Sequence, residues 1–207
     1  MNWFLTGTDT GVGKTHVTCL LLRALRATGL SAAGFKPFCC GDRTDAHHLH
    51  AAGDPAALLD LINPVWFRTP AAPYTAGLVE NRLPDLALIR EAFATFRSRF
   101  DSVLVEGVGG WLTPITREMA LADLAEEFAL PVVVVVANRL GALNHTLLTV
   151  ENIRARGLAC AGLILNTLPG PDDVAIHTNR AVLEDLTSLP VLFDISPGQS
   201  EIELGLA

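Results

Sequence analysis

The segment Gly7-Thr8-Asp9-Thr10-Gly11-Val12-Gly13-Lys14-Thr15 decides the fold of this 207-residue chain. It stands between an apolar, strand-like run at residues 3–6 and a helical pattern that continues from 14 to about 28. The glycines let backbone N–H groups converge on phosphate oxygens without clashes with Cβ atoms, and the helix adds the positive end of its dipole. The segment therefore predicts a P-loop, which binds the phosphates of a nucleoside triphosphate.

The last residues of this loop have the side chains that phosphate chemistry uses. Lys14 can reach the β- and γ-phosphates, and the hydroxyl of Thr15 can bind Mg²⁺. The strict motif has glycine where this chain has Thr8, and Gly7 comes one residue early, so we expect a variant form of the loop. The predicted nucleotide contacts in this segment are Gly11, Val12, Gly13, Lys14, Thr15 and His16.

Strand-like and helical patterns alternate along the rest of the chain. Strands are predicted at 32–35, 102–105, 132–137, 160–165 and 191–193, and helices at 84–100, 121–128, 142–156 and within 173–188. Pro84 is predicted in the first turn of its helix, where proline is accepted. Residues 38–83 follow no regular pattern. The alternation predicts a P-loop NTPase-type α/β fold, a mainly parallel β-sheet with helices on both faces, in a single domain over 1–207.

Composition and charge restrict the classes of function. Hydrophobic residues make up 50% of the chain and charged residues 18%, which supplies a large core and argues against disorder. Asp and Glu number 22 against 15 Lys and Arg, a formal charge of -7 that repels nucleic acid and anionic membranes. No apolar run reaches the roughly 20 residues of a membrane-spanning helix, and no basic segment typical of a secretory signal precedes the first strand. We therefore expect a cytoplasmic protein with no nucleic-acid or membrane partner, whose cysteines are reduced thiols.

Chemically useful residues follow several of the predicted strands, at the edge where such sheets bind ligands. Glu106 ends an apolar strand, a position that places an acid beside the metal of a bound nucleotide. Gly107, Gly109 and Gly110 come next and leave room for a phosphate or a substrate to approach the backbone. Lys36 follows another strand, so we expect it to lie at the same edge.

Asp45 stands at the start of a short helical pattern that carries three histidines. The residue types there are typical of an N-cap, so Asp45 is interpreted as the cap of this helix. The histidines His47, His48 and His50 are interpreted as a solvated face, and we assign them no metal.

Four blocks of the sequence together resemble the dethiobiotin synthetase family of the P-loop NTPase superfamily. They are Gly-Thr-Asp-Thr-x-Val-Gly-Lys-Thr at 7–15, Gly-Phe-Lys-Pro at 34–37, Val-Glu-Gly-x-Gly-Gly-Trp at 105–111 and Leu-Gly-x-x-Asn-His at 140–145. The blocks keep the family's order and spacing over the first three-quarters of the chain. The resemblance implies the conversion of 7,8-diaminononanoate, CO₂ and ATP to dethiobiotin, ADP and phosphate in biotin biosynthesis.

The resemblance also implies roles for the charged residues. In the family, one amine traps CO₂ as a carbamate, the carbamate takes the γ-phosphoryl group, and the second amine closes the ureido ring. Lys14 and Lys36 are the implied catalytic residues, because two anionic reactants need cations between them. Thr15, Asp45 and Glu106 are the implied Mg²⁺ ligands, which makes Asp45 a site residue as well as a cap.

Further contacts follow from the same resemblance. The implied nucleotide contacts outside the P-loop are Glu106, Gly107, Val108, Gly109, Asn166, Thr167, Ser196, Pro197 and Gly198. The implied substrate contacts are Thr10, Cys40, Pro73, Gly110, Leu140, Gly141 and Asn144. In the family the helix that starts near 140–144 comes from a neighbouring subunit, which implies a homodimer. Cys40 replaces a hydroxyl of the family pattern that would contact the substrate, and its thiol is a weaker donor. Thr167 replaces an acid of the pattern, so the identity of the nucleotide base stays open.

Three alternatives remain on the residues alone. An amide synthase of the cobyrinate type shares the P-loop, but such chains have a fused glutamine amidotransferase domain for which 207 residues leave no room. A regulatory switch is the second, although the early lysine of partition ATPases and the Asn-Lys-x-Asp motif of GTPases are both missing. The third is a binding module with an inactive nucleotide pocket.

Overall fold

A computed structural model describes residues 1–205 of the chain, so residues 206 and 207 of the predicted single domain lie outside the described part. The strands are β1 Asn2–Gly7, β2 Ala32–Phe35, β3 Phe38–Cys40, β4 Val65–Phe67, β5 Ser102–Glu106, β6 Val132–Ala137, β7 Cys160–Asn166 and β8 Val191–Ile195. The helices are α1 Lys14–Ala27, α2 Thr44–Ala52, α3 Leu59–Ile62, α4 Pro73–Val79, α5 Leu86–Arg99, α6 Leu121–Phe128, α7 Ala142–Ala155 and α8 Val174–Thr187.

The main sheet confirms the predicted α/β fold. Six strands follow the order β2-β5-β1-β6-β7-β8, and every neighbouring pair is parallel. Helices cover both sides, and all six residues of β6 are buried, as their apolar sequence predicts. Because β2, β5 and β1 are adjacent, the loops at their carboxyl ends meet at one place on the sheet edge.

An aromatic cluster packs α5 and α6 on this sheet. Phe93 of α5 stacks on Phe128 of α6 with ring centroids 3.9 Å apart. The ring centroids of Phe35 in β2 and Phe96 in α5 are 5.3 Å apart. The spacing of Phe93, Phe96 and Phe100 in the sequence predicts that they share one face of this helix. The expected position of Pro84 is wrong, since α5 begins at Leu86 after the N-cap Asp85, whose carboxylate accepts the N–H of Leu88 at 2.9 Å.

The segment 38–83, in which the sequence predicts only the short helix at the three histidines, is more regular than expected. It contains α2, α3, α4 and a two-stranded parallel sheet of β3 and β4. Its strands have three residues each and its helices between four and nine, which is too short for periodicity to emerge in a window of about 11–18 residues. This segment supplies one wall of the cavity described below.

Two further sequence expectations concern membranes and thiols. Within residues 1–205, none of the helices combines the length and apolar character that crossing a bilayer takes. All four cysteines are free thiols, of which Cys19 and Cys39 are buried.

Candidate active site

The P-loop connects the central strand β1 to α1. Gly13 is the N-cap of α1 and has a left-handed backbone with φ 88°. A Cβ atom at this position would lie 2.1 Å from the side-chain nitrogen of Asn166, so only glycine fits. Asn166 itself is buried and donates an N–H to the carbonyl of Val12 at 2.9 Å. Asn166, the last residue of β7, therefore holds the P-loop in place through its contacts with Val12 and Gly13.

Lys14 is a buried cation whose direct partners are carbonyl oxygens. Its Nζ donates to the carbonyl of Gly109 at 2.6 Å and to that of Asp9 at 3.1 Å. Burial, and then the charge of Lys36, lower the pKa of Lys14 to about 8. Phosphate oxygens would stabilise this ammonium group, because they bring the negative charge that the carbonyls lack.

Lys36 lies between two carboxylates. Its Nζ is 2.6 Å from Oε1 of Glu106 and 2.9 Å from Oδ2 of Asp45. Burial alone lowers the pKa of Lys36, but the two carboxylates outweigh burial and raise it above its ordinary value. For Asp45 the balance is the reverse: burial raises its pKa, and the charge of Lys36 brings the pKa below its usual range. The chain contains two lysines in all, and both lie in this site.

The interpretation of Asp45 as a helix cap is wrong. The N-cap of α2 is Arg43, and Asp45 lies inside the first turn. The carboxylate that serves the start of this helix belongs to Asp42, which accepts the N–H of Thr44 at 2.9 Å. Asp45 turns towards Lys36 instead, because a buried ammonium group attracts a carboxylate more strongly than a backbone N–H does.

The residues expected to bind magnesium fit a small hard cation. Thr15 Oγ1 donates to Glu106 Oε1 at 2.7 Å, and the other oxygen, Glu106 Oε2, is buried without a hydrogen-bond partner. A buried carboxylate oxygen without a partner is costly, and a cation would satisfy it. Carboxylates and a hydroxyl are ligands that Mg²⁺ accepts. Among residues 1–205, no group of three or more His, Cys, Asp or Glu side chains is placed to hold a metal ion. The expected set has two carboxylates and one hydroxyl.

A cavity of about 710 Å³ opens beside these groups. The expected site residues that line it are Thr10, Gly11, Gly13, Lys14, Thr15, Lys36, Cys40, Asp45, Glu106, Val108 and Gly109. Burial raises the pKa of the Cys40 thiol to about 11, so the thiol is neutral at physiological pH.

Comparisons with known proteins show the family of this chain. The AAA domain family matches residues 2–200. The chain is 43% identical over 203 residues to the ATP-dependent dethiobiotin synthetase BioD of Akkermansia muciniphila, covering 98% of this chain and 95% of that protein. It is 47% identical over 198 residues to the protein of the same name from Aromatoleum aromaticum, covering 92% and 88%. The chain belongs to the dethiobiotin synthetase family.

Solved structures support the fold of this dethiobiotin synthetase family member. The cell division ATPase MinD of Pyrococcus furiosus has a TM-score of 0.62 at 19% identity, covering 96% of this chain and 84% of that one. A ParA family ATPase of Chlorobium tepidum has a TM-score of 0.57 at 14% identity, covering 96% and 85%. At these identities the likeness concerns the P-loop fold alone. Family membership favours the synthetase over the cobyrinate-type synthase and the regulatory switch.

Other residues implied by the dethiobiotin synthetase pattern lie outside the wall of the large cavity. Gly107 and Gly110 flank lining residues, Val12 is buried under the loop, and Pro73 is the buried first residue of α4. His16 lines a separate cavity of about 360 Å³ between α1 and α2. The remaining residues are Leu140, Gly141, Asn144, Asn166, Thr167, Ser196, Pro197 and Gly198.

The structure adds residues that sequence reasoning missed. Phe38, Cys39, Asp42, Pro70, Ala71, Ala72, Thr113 and Pro114 also line the cavity. Thr113 and Pro114 follow the glycine block closely, and this proximity could have suggested them. The segment 70–72 gave no such signal, because it reaches the cavity through the short elements of 38–83. His47, His48 and His50 are exposed, as the solvated-face interpretation predicts.

Proposed function

We propose that this chain is an ATP-dependent dethiobiotin synthetase that joins 7,8-diaminononanoate and CO₂ into the ureido ring of dethiobiotin, as a single domain over 1–207. The observation that carries the proposal is the pair of buried lysines beside two carboxylates in the P-loop cavity. A carbamate and a triphosphate are both anionic, and their approach needs fixed cations in a place with little water.

The two lysines divide this work. The loop amides and Lys14 hold the phosphates, and Lys36 stabilises the carbamate oxygen that accepts the phosphoryl group. Lysines are cations at neutral pH, so Lys36 acts by its charge and by donated hydrogen bonds and takes no proton from the substrate. The substrate's second amine closes the ring by attacking the carbonyl carbon of the phosphorylated carbamate, which breaks the C–O bond to the phosphoryl group and releases phosphate, and no covalent bond to the protein is needed.

Thr15, Asp45 and Glu106 would hold Mg²⁺. When bound, the metal neutralises part of the charge on the triphosphate. Asp45 supports this role because its side chain is 47% exposed on the cavity side while still touching Lys36. Glu106 supports it through its buried oxygen without a partner.

Base recognition rests on the ends of β7 and β8. Asn166 uses one N–H on Val12, which leaves its second N–H and its carbonyl oxygen for a base. Thr167 accepts a hydrogen bond from Asn138 at 3.1 Å and supplies no acid. The segment 196–198 would complete the adenine site.

A homodimer would complete the substrate site. Leu140 is 82% exposed, and Gly141 and Asn144 are also exposed at the start of α7. The N–H groups at a helix start can bind a carboxylate. In a symmetric dimer this end of α7 would reach the partner's cavity and hold the carboxylate of 7,8-diaminononanoate, while Thr10 and Cys40 contact the diamine end.

The test measures ADP release with MgATP and bicarbonate, with and without 7,8-diaminononanoate, and detects dethiobiotin by mass spectrometry. The Lys36→Met variant should lose about 10²–10³-fold in kcat. Arg90→Met is the matched control, because it removes an exposed cation that pairs with Glu127 and does not line the cavity, and it should keep full activity. ADP release that ignores the diamine and yields no dethiobiotin would overturn the proposal and leave the P-loop in place.

A further inference from the structure

The glycine loop after β5, residues 107–110, contacts both lysines through its backbone. The carbonyl of Gly107 accepts a hydrogen bond from Lys36 Nζ at 3.2 Å, and the carbonyl of Gly109 accepts one from Lys14 Nζ at 2.6 Å. The loop therefore contributes one contact to each ammonium group, beside the carboxylates that Lys36 meets and the Asp9 carbonyl that Lys14 meets. A loop with three glycines has few side chains to pack, so the residues that flank it must hold it in place.

Trp111 is the first large side chain after the loop, and it is 4% exposed. Its ring meets Phe4 of β1 edge-on, with centroids 6.4 Å apart at 86°. The indole can only donate, and its Nε1–H points to Asn152 Oδ1 of α7 at 2.8 Å. A buried indole N–H that loses its acceptor is costly, so this hydrogen bond holds the indole ring of Trp111 in its orientation.

The acceptor is itself held. Asn152 Oδ1 also accepts a hydrogen bond from Arg156 Nε at 3.1 Å. Arg156 Nη1 in turn contacts Asp123 Oδ1 at 2.7 Å and Glu126 Oε1 at 2.6 Å, both on α6. Two donors converge on one oxygen of Asn152, which fixes the orientation of its amide. The indole is thus attached to two helices and not to one mobile side chain.

We propose that Trp111, held by Asn152, is a positioning residue for Lys14 and Lys36. It fixes the loop 107–110, whose carbonyls orient both ammonium groups towards the reacting phosphate. The proposal rests on the proposed function for its kinetic consequence. A displacement of about 1 Å in a catalytic group can lower a rate on the order of 10²-fold, so loss of this anchor should be visible in kcat.

The test replaces the acceptor and leaves the tryptophan in place. Asn152→Leu keeps the branched shape and the number of side-chain heavy atoms and removes the acceptor, whereas Asn152→Asp keeps an acceptor for both Trp111 and Arg156. Asp101→Ala is the matched control, because it removes the acceptor of the Ser31 N–H and hydroxyl next to the starts of β2 and β5 and touches none of Trp111, Asn152 and Arg156. Each variant is characterised by its kcat and KM for ATP and by its melting temperature. Lysine labelled with ¹³C at Cε gives two signals per chain, which Lys14→Arg and Lys36→Arg variants assign.

Asn152→Leu should lower kcat about tenfold or more and shift the Lys14 signal at fixed pH, while Asn152→Asp keeps both near wild type. Asp101→Ala should lower the melting temperature without changing either readout. The proposal is overturned if Asn152→Leu loses stability but keeps kcat and the Lys14 signal, since Trp111 would then be only part of the core. The lysine spectra do not depend on the reaction, so a failed synthetase assay in the wild-type protein would sink the proposed function without deciding this one.

Discussion

Gly13→Ala tests how tightly the P-loop is packed on Asn166. The new Cβ would lie 2.1 Å from the Asn166 nitrogen, on a backbone with φ +88°. The left-handed conformation costs about 1–2 kcal/mol for a residue with a Cβ. Asn166 is 3% exposed, and it cannot move aside without giving up its bond to Val12, which adds about 1–3 kcal/mol. The free energy of unfolding should therefore fall by roughly 2–5 kcal/mol, a large part of the typical 5–15 kcal/mol.

Gly11→Ala is the matched control within the same loop. Its φ is +75°, and a Cβ there would meet no atom within 4 Å. Gly11→Ala should therefore lower the free energy of unfolding only by the cost of the left-handed backbone, about 1–2 kcal/mol. Both variants are unfolded in urea without nucleotide, and the free energies are obtained by linear extrapolation. The difference between the two variants isolates the contact with Asn166.

A double-mutant cycle identifies the source of the difference. Asn166→Ala removes the amide that clashes, so in the Gly13→Ala background it should cost about 1–3 kcal/mol less than in the wild type. A clash between residues 13 and 166 is refuted if Gly13→Ala is no less stable than Gly11→Ala, or if the changes in the free energy of unfolding caused by the substitutions at 13 and 166 simply add. Either result would mean that the loop adjusts without straining the end of β7.

Three further predictions use other parts of the molecule. Because its pKa is raised to about 11, the Cys40 thiol should react with iodoacetamide at pH 8 on the order of 100-fold more slowly than in the urea-unfolded chain. In the folded protein the rate of this reaction should rise about tenfold per added pH unit. Burial raises the pKa of Asp123, but the Ala120 N–H and Arg156 outweigh burial and lower it, so the carboxylate stabilises the fold above the ordinary carboxylate range. Asp123→Ala should therefore lower the free energy of unfolding in urea by about 1 kcal/mol at pH 7, and this loss should shrink as the pH falls through that range. Mixing Lys36→Met with Asn144→Asp subunits, each inactive alone, should restore about a quarter of wild-type activity if each site uses both chains.

Each of these three has a result that contradicts it. Rapid alkylation of Cys40 at pH 8 would show an ordinary thiol that burial does not affect. A loss at Asp123 that is independent of pH would mean that its carboxylate charge contributes nothing. Mixed subunits that stay inactive after unfolding and refolding together would place each site within one chain, and sedimentation would show whether a dimer forms at all.

Much of the fold could be predicted from the sequence, because its signals are local. The apolar run 132–137 and the phenylalanine spacing of α5 correspond to observed elements, with bounds that agree to within a few residues. Glycine, lysine and threonine between a strand and a helix predict a phosphate site because the geometry of the turn depends on those residues. Apart from the helix that carries the three histidines, the short elements of 38–83 were missed because three to seven residues leave no periodicity to detect.

By itself the sequence determined the α/β class, the P-loop, and the residues at the strand ends. The tertiary structure alone decided which of them touch. Lys36 meets Glu106 across 70 residues, Trp111 meets Asn152 across 41, and Asn166 supports Val12 across 154. It also shows that Asp45 is a partner of Lys36 and not a helix cap, and that His16 lines a separate cavity. The physical reason is that periodicity reports the local environment of a residue, whereas these contacts depend on the order in which the strands assemble into the sheet.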